Sequence, residues 1–136
     1  MMKIAVESRV NAPIERVWDT YINPQDIEKW NTASADWHTV NAVVDFKPGG
    51  KFSSRMEAKD GSMGFDFAGV YTHIVPHELI EYSFGDREAQ VKFSQQEGGV
   101  LVHLEFDPDT QYPVEHQKNG WQAILDNFAK YVEAKV

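Results

Sequence analysis

The 136-residue sequence contains no cysteine. That excludes disulfides, thiolate nucleophiles and cysteine-based metal centres. It also fits a reducing compartment, and a cytoplasmic protein is expected. No apolar run approaches the roughly 18 residues that cross a bilayer, and residues 1–9 lack a signal-peptide core, so no membrane insertion is expected. Basic residues are few and scattered: 13 Lys and Arg stand against 21 Asp and Glu, for a formal net charge of -8. Nucleic acid and anionic membrane surfaces need clustered cations, and no Lys/Arg run exists, so both are disfavoured as partners. There is no glycine-rich phosphate loop and no serine in a nucleophile-elbow context. Gly49-Gly50 and Gly98-Gly99 read as turn glycines, and no cofactor is expected. Internal repeats, low-complexity tracts and linkers are also missing.

What is present is concentrated in patterning. Trp121, Ile124, Leu125, Phe128 and Val132 recur at helical spacing and form one apolar stripe. Gly120 lies inside this pattern, where glycine costs about 1 kcal/mol relative to alanine. Close approach of another backbone is the expected compensation. At the other end, residues 3–10 alternate, with Ile4, Val6, Ser8 and Val10 on one face, as in a half-buried strand. Asn11 is the expected helix cap, with Pro13 in the first turn. Ile14, Val17, Trp18 and Tyr21 then follow helical spacing until Asn23-Pro24 stops the helix. A short second helix over 24–30 carries Ile27 and Trp30.

From Trp37 to Phe106 the signals are strands and tight turns. Pro48-Gly49-Gly50 separates strands at 37–46 and 51–58, and Asp60-Gly61 predicts a hairpin of the primed turn type. Alternation through Phe65, Phe67, Gly69 and Tyr71, then Ile80, Tyr82 and Phe84, then Val91 and Phe93, then Val100 to Phe106, gives the remaining strands. Short turns between successive strands make an antiparallel meander. The order is strand, two helices, six strands, long helix, an α+β two-layer arrangement. A chain of this length buries about 68% of its unfolded surface and reads as one domain.

Four segments resemble a known family. They are Ala12-Pro13-Ile14-Glu15-Arg16-Val17-Trp18 with Asn23-Pro24 and Trp30; Lys47-Pro48-Gly49-Gly50-Lys51-Phe52; Phe67-Ala68-Gly69-Val70-Tyr71 with Ile74-Val75-Pro76-His77-Glu78-Leu79-Ile80; and Asn119-Gly120-Trp121 with Leu125 and Tyr131. In this order they are similar to the homologues of the activator of the 90-kDa heat-shock protein's ATPase, within the START-like (SRPBCC) superfamily. The resemblance implies a helix-grip fold, β-α-α-β6-α, in which a curved antiparallel sheet wraps around a long C-terminal helix. Residues 1–136 are then one START-like domain. It further implies a cavity between sheet and helix that takes a lipid-like, polyketide or aromatic molecule. The alternatives it carries are a co-chaperone-type protein-interaction module and a cyclase, aromatase or hydrolase working in the cavity.

On this basis the expected cavity residues are Trp30, Trp37, Phe52, Ser54, Met56, Phe65, Phe67, Tyr71, Tyr82, Phe84, Phe93, Phe106, Trp121, Leu125 and Phe128. Ser54 alternates in phase with Phe52 and Met56, so a hydroxyl points inward. Tyr71 and Tyr82 bring buried phenols, which need partners. Exposed aromatics such as Trp30 or Trp37 serve equally as a pocket entrance or as a contact with a protein partner or second copy. The enzymatic alternative has only His38, Glu57, Asp66 and the tyrosines as acids or bases, with Glu57 and Asp66 out of phase with the inward set. No catalytic residue and no metal ligand is assigned. His73 and His77 are four apart, but Pro76 between them argues for a turn with solvated imidazoles. His103 and Glu105 share a strand face that should be the outer one. Asp36-Trp37-His38 follows the second helix, and Trp37 and His38 cannot share a face. Asp107-Pro108-Asp109-Thr110 lacks the glycine and distal glutamate of a calcium loop and reads as a connection.

Overall fold

A computed structural model describes residues 3–135. Met1, Met2 and Val136, which the single-domain expectation included, lie outside the described residues. The elements are β1 (Ile4–Val10), α1 (Ile14–Ile22), α2 (Pro24–Trp30), β2 (Trp37–Val44), β3 (Lys51–Ala58), β4 (Gly64–Val75), β5 (Leu79–Phe84), β6 (Arg87–Gln96), β7 (Gly99–Phe106) and α3 (Val114–Ala134). The strands form one seven-stranded sheet in the order β1-β7-β6-β5-β4-β3-β2, and every neighbouring pair is antiparallel. The meander from β2 to β7 follows from its short turns. β1, first in sequence, pairs with the last strand, Val6 opposite Leu104.

The sheet is curled, as its contacts with the helices require. α3 packs along one edge strand, β1, while α2 packs along the other, β2, and α2 and α3 touch. The two sheet edges are therefore bridged by a pair of helices, and the concave face closes over α3. Alternation decides what that face carries: Ile4, Val6 and Val10, Val91 and Phe93, and Val100, Val102, Leu104 and Phe106 are all buried. α3 answers with Leu125, Phe128, Ala129 and Val132. Full burial of each Val, Leu or Phe side chain contributes about 1.5–3 kcal/mol. Among the described residues no helix is long and apolar enough to cross a membrane.

The structure corrects the expected local geometry at several points. Pro13, not Asn11, occupies the cap position of α1, and no side chain caps that helix. Asn11 is used differently: its backbone N–H donates to Glu133 Oε2 at 2.8 Å, tying the β1–α1 corner to the end of α3. Asn23 is the effective cap, for α2, where its side-chain oxygen accepts from the N–H groups of Gln25 and Asp26. β2 ends at Val44 rather than 46 and is interrupted by a bulge between Val40 and Val43. Asn41 sits there at φ 53°, a conformation asparagine tolerates better than most residues. The Asp60-Gly61 turn is not of the primed type. Gly61 N–H donates to Ala58 O at 2.9 Å, and Gly61 alone of the pair has positive φ, whereas a primed turn needs it at Asp60.

Two glycines separate close approach from open space. A Cβ at Gly69 would lie 2.3 Å from Ser83 O and 2.7 Å from the Phe52 ring, so glycine here lets Phe52 lie flat across β4. A Cβ at Gly120 would meet nothing within 4 Å. The expected close backbone approach at Gly120 is therefore absent, and no packing constraint selects glycine at that position.

Candidate functional site

The concave face divides into an aliphatic part and an aromatic part. Phe52, Ser54 and Met56 of β3, Phe65, Phe67 and Tyr71 of β4, and Tyr82 and Phe84 of β5 stand on the inner face of neighbouring strands; Ser54 pairs with Phe67, Met56 with Phe65 and Tyr71 with Tyr82. Their rings interlock. Phe52 lies 5.1 Å from both Tyr71 and Tyr82, and Phe67 lies 5.5 Å from Phe84. Trp121 of α3 closes this layer, stacked on Phe106 at 3.9 Å and edge-on to Phe67 at 6.1 Å. Leu125 and Phe128 lie one and two turns further along α3, in the sealed core.

A second aromatic group gathers under α1. Trp30 is buried, donates its indole N–H to Thr20 O at 3.1 Å and meets Phe128 edge-on at 4.8 Å. Phe93 is wedged between Trp18 at 5.1 Å and Tyr21 at 5.6 Å. Trp30 is thus core rather than an exposed contact. Trp37 is half-buried, and Phe65 is 49% exposed beyond the reach of α3, so these two mark an open end of the grip.

Three phenols set the polarity of this interior. Tyr71 and Tyr82 face each other across β4 and β5, and Tyr21 reaches in from α1. Burial pushes all three well above the ordinary phenol value. Tyr71 raises Tyr21 further, and both raise Tyr82, so the three hydroxyls lie within electrostatic reach of one another. None is held by a hydrogen bond within the described residues, in contrast to Tyr131, whose hydroxyl donates to Asp26 at 2.6 Å. Yet no side-chain nitrogen or oxygen among the described residues is both sealed off and unpartnered. Each of these oxygens therefore keeps some solvent-accessible surface. The sequence list of inward groups omitted Tyr21, although its place in the Ile14, Val17, Trp18, Tyr21 stripe was the available signal.

His38, Glu57, Asp66, His103 and Glu105 lie on the convex face. His38 Nε2 is 3.1 Å from Glu57 Oε1, Arg55 Nε donates to Glu57 Oε2 at 3.1 Å, and Arg55 also reaches Asp66 at 3.5 Å. The His38 hydrogen bond, then that of Arg55, holds Glu57 below the usual carboxylate range. His103 bridges Glu7 at 2.9 Å and Glu105 at 3.0 Å, which hold its imidazole above the usual value, Glu105 contributing most. His77 stands at φ 64° with its ring edge-on to Trp18 at 5.7 Å. No group of three His, Asp or Glu side chains suited to a metal ion occurs among the described residues. The acids and the histidine named for an enzymatic reading thus point away from the interior.

A curled antiparallel sheet gripping a long C-terminal helix defines a helix-grip protein of the START-like kind. Residues 11–133 match the model of the family described as activator of Hsp90 ATPase homolog 1-like protein, and the chain belongs to that family. It is 44% identical to the AHSA1-like protein from Aeromonas hydrophila, over 98% of this chain and 94% of that one, with a TM-score of 0.92. A protein from Cytophaga hutchinsonii is 45% identical over 98% and 93% of the two chains, with a TM-score of 0.84. A protein from Chromobacterium violaceum, 25% identical over 98% and 99%, has a TM-score of 0.87. No match is found among curated proteins.

Proposed function

We propose that the protein is a non-catalytic binding domain for a small apolar or aromatic molecule held between sheet and α3, and that this molecule carries a hydrogen-bond acceptor. The single observation behind this reading is the trio of phenols. Hydroxyls in an apolar interior need partners, and the protein supplies none to these three, so the need falls to water or to a ligand. An acceptor atom among Tyr21, Tyr71 and Tyr82, with Ser54 on the same face, would remove it. The surrounding Phe52, Phe67, Phe84 and Trp121 supply the apolar walls that small-molecule sites usually have.

Titration with the neutral fluorophore Nile red, whose ring carbonyl is a hydrogen-bond acceptor, together with native mass spectrometry of the protein purified from a cell extract, tests this. Saturable binding that weakens in Tyr82→Phe, or a co-purifying molecule, is the expected result. Absence of both removes the reading. The family description favours one further reading, a co-chaperone-type interaction module. An unchanged ATPase rate of the 90-kDa chaperone at saturating protein removes that one.

A further inference from the structure

Outside the aromatic interior, the seam between the two helix-covered sheet edges opens into a cleft of about 610 Å³. That volume falls within the range of small-molecule sites, about 300–1,000 Å³. It begins where α2 ends and stops bridging β2 to α3. Its walls are the α2–β2 connection, Trp37 at the start of β2, the β3–β4 turn, and the face of α3 carrying Ala123, Asn127 and Lys130. This is a different set of residues from the phenol trio.

The charges around the cleft are uneven in their commitments. Lys29 of α2, Lys59 of the β3–β4 turn and Lys130 of α3 all line it, and none makes an ion pair among the described residues. Three separate elements bring these lysines to one cleft, so their convergence is a product of the fold. The two carboxylates on the same walls are already engaged. Glu28 Oε2 accepts the Ala42 N–H at 3.0 Å, and Asp126 Oδ1 accepts from Gln122 at 2.9 Å. His38, also on the wall, is turned to Glu57. The half-buried Trp37 supplies a flat apolar surface beside the lysines. The chain's net charge of -8 repels anions at long range, but such repulsion is screened beyond about 8 Å at physiological salt. On the cleft walls three lysines outnumber the two carboxylates of Glu28 and Asp126, each of which is held by a neutral hydrogen-bond donor.

We propose that this cleft is a binding site for a small organic anion: its carboxylate or phosphate lies among Lys29, Lys59 and Lys130, and its planar body rests on Trp37. The test uses two probes with the same aromatic skeleton, anionic 8-anilinonaphthalene-1-sulfonate and neutral N-phenyl-1-naphthylamine. Binding of each is measured by fluorescence on the wild type and on the triple variant Lys29→Gln, Lys59→Gln, Lys130→Gln. The three lysines are exposed or at the rim, so circular dichroism should confirm an unchanged fold. The sulfonate probe should bind about tenfold more weakly to the variant, given modest gains per exposed charge contact. Its binding to the wild type should also shift the Trp37 indole N–H resonance. The neutral probe should change by less than about twofold, since it lacks the charge the lysines recognise. Competition then separates the two head groups: phenyl phosphate or benzoate should displace the sulfonate probe, and the better competitor names the class. Failure of the sulfonate probe to bind the wild type, equal affinity for wild type and variant, equal loss for both probes, or no displacement by either competitor overturns the cleft site. The neutral probe has the same planar body, so it can occupy either site, and the difference between the two probes is what reads the lysines.

Discussion

The two halves of the concave face are built from different materials. Under α3, along β1, β7 and β6, the side chains are mostly aliphatic and almost completely sealed: Val10, Val91, Val102, Phe106, Phe128 and Val132 are at 0% exposure. Along β3, β4 and β5 the side chains are aromatic, several only half-buried, and the phenols among them lack partners. One sheet thus carries a close-packed core on one side and a looser, polar-tipped aromatic layer on the other. The contrast teaches that burial alone does not separate core from binding wall. Tyr82 and Phe84 are both buried, yet only Tyr82 brings a polar atom that the protein itself leaves unanswered.

That contrast can be broken by experiment. Phe128→Ala, in the sealed half, should cost about 3–5 kcal/mol by urea denaturation, because the rigid surroundings cannot collapse into the hole. Phe67→Ala, in the aromatic half, should cost less than half of that. Equal losses would mean that the two halves are one core. Tyr82→Phe should change stability by less than about 1 kcal/mol in either direction, since no hydrogen bond is lost, while weakening the binding of Nile red. A loss above about 2 kcal/mol would reveal a partner for that hydroxyl and remove the distinction.

Smaller effects are expected at the edges of the two halves. His103, on the convex side of the sealed half, has its pKa raised by Glu105 and Glu7. The folded state therefore holds its proton more tightly than the unfolded chain does. The resulting stabilisation is full below the ordinary value of 6.5 and is lost as pH rises through the folded value. Wild type should lose stability relative to His103→Gln as pH rises above about 6.5, and parallel pH profiles would refute it. Gly120→Ala, beside the aromatic half, should raise stability by up to about 1 kcal/mol, because no atom obstructs a methyl group and helical alanine is preferred. A loss instead would show that the space near Gly120 is filled by something other than the described residues.

Much of this was legible beforehand because it rests on local periodicity. The alternation of Val100, Val102, Leu104 and Phe106 assigned both a strand and its buried face, and the Trp121-to-Val132 stripe assigned the gripping helix. Turn details were less legible. Asp60-Gly61 carries the signal of a primed turn, but a five-residue connection between Ala58 and Gly64 gives a type I-like start with Gly61 at its end. Gly120 looked constrained because helix propensity is a weak local preference that packing often overrides, and here packing is indifferent.

By itself, then, the sequence determined the element order, the antiparallel meander and the inward set from Phe52 to Phe128, since period and turn chemistry act between residues close in the chain. Only the tertiary structure decided three other matters: that β1 pairs with β7, that Tyr21 joins Tyr71 and Tyr82 in one interior, and that Lys29, Lys59 and Lys130 meet at one cleft. Those residues lie tens of positions apart, and their meeting depends on how far the sheet curls and where α2 ends. No local pattern encodes either quantity; both emerge from packing two helices against opposite edges of the same sheet.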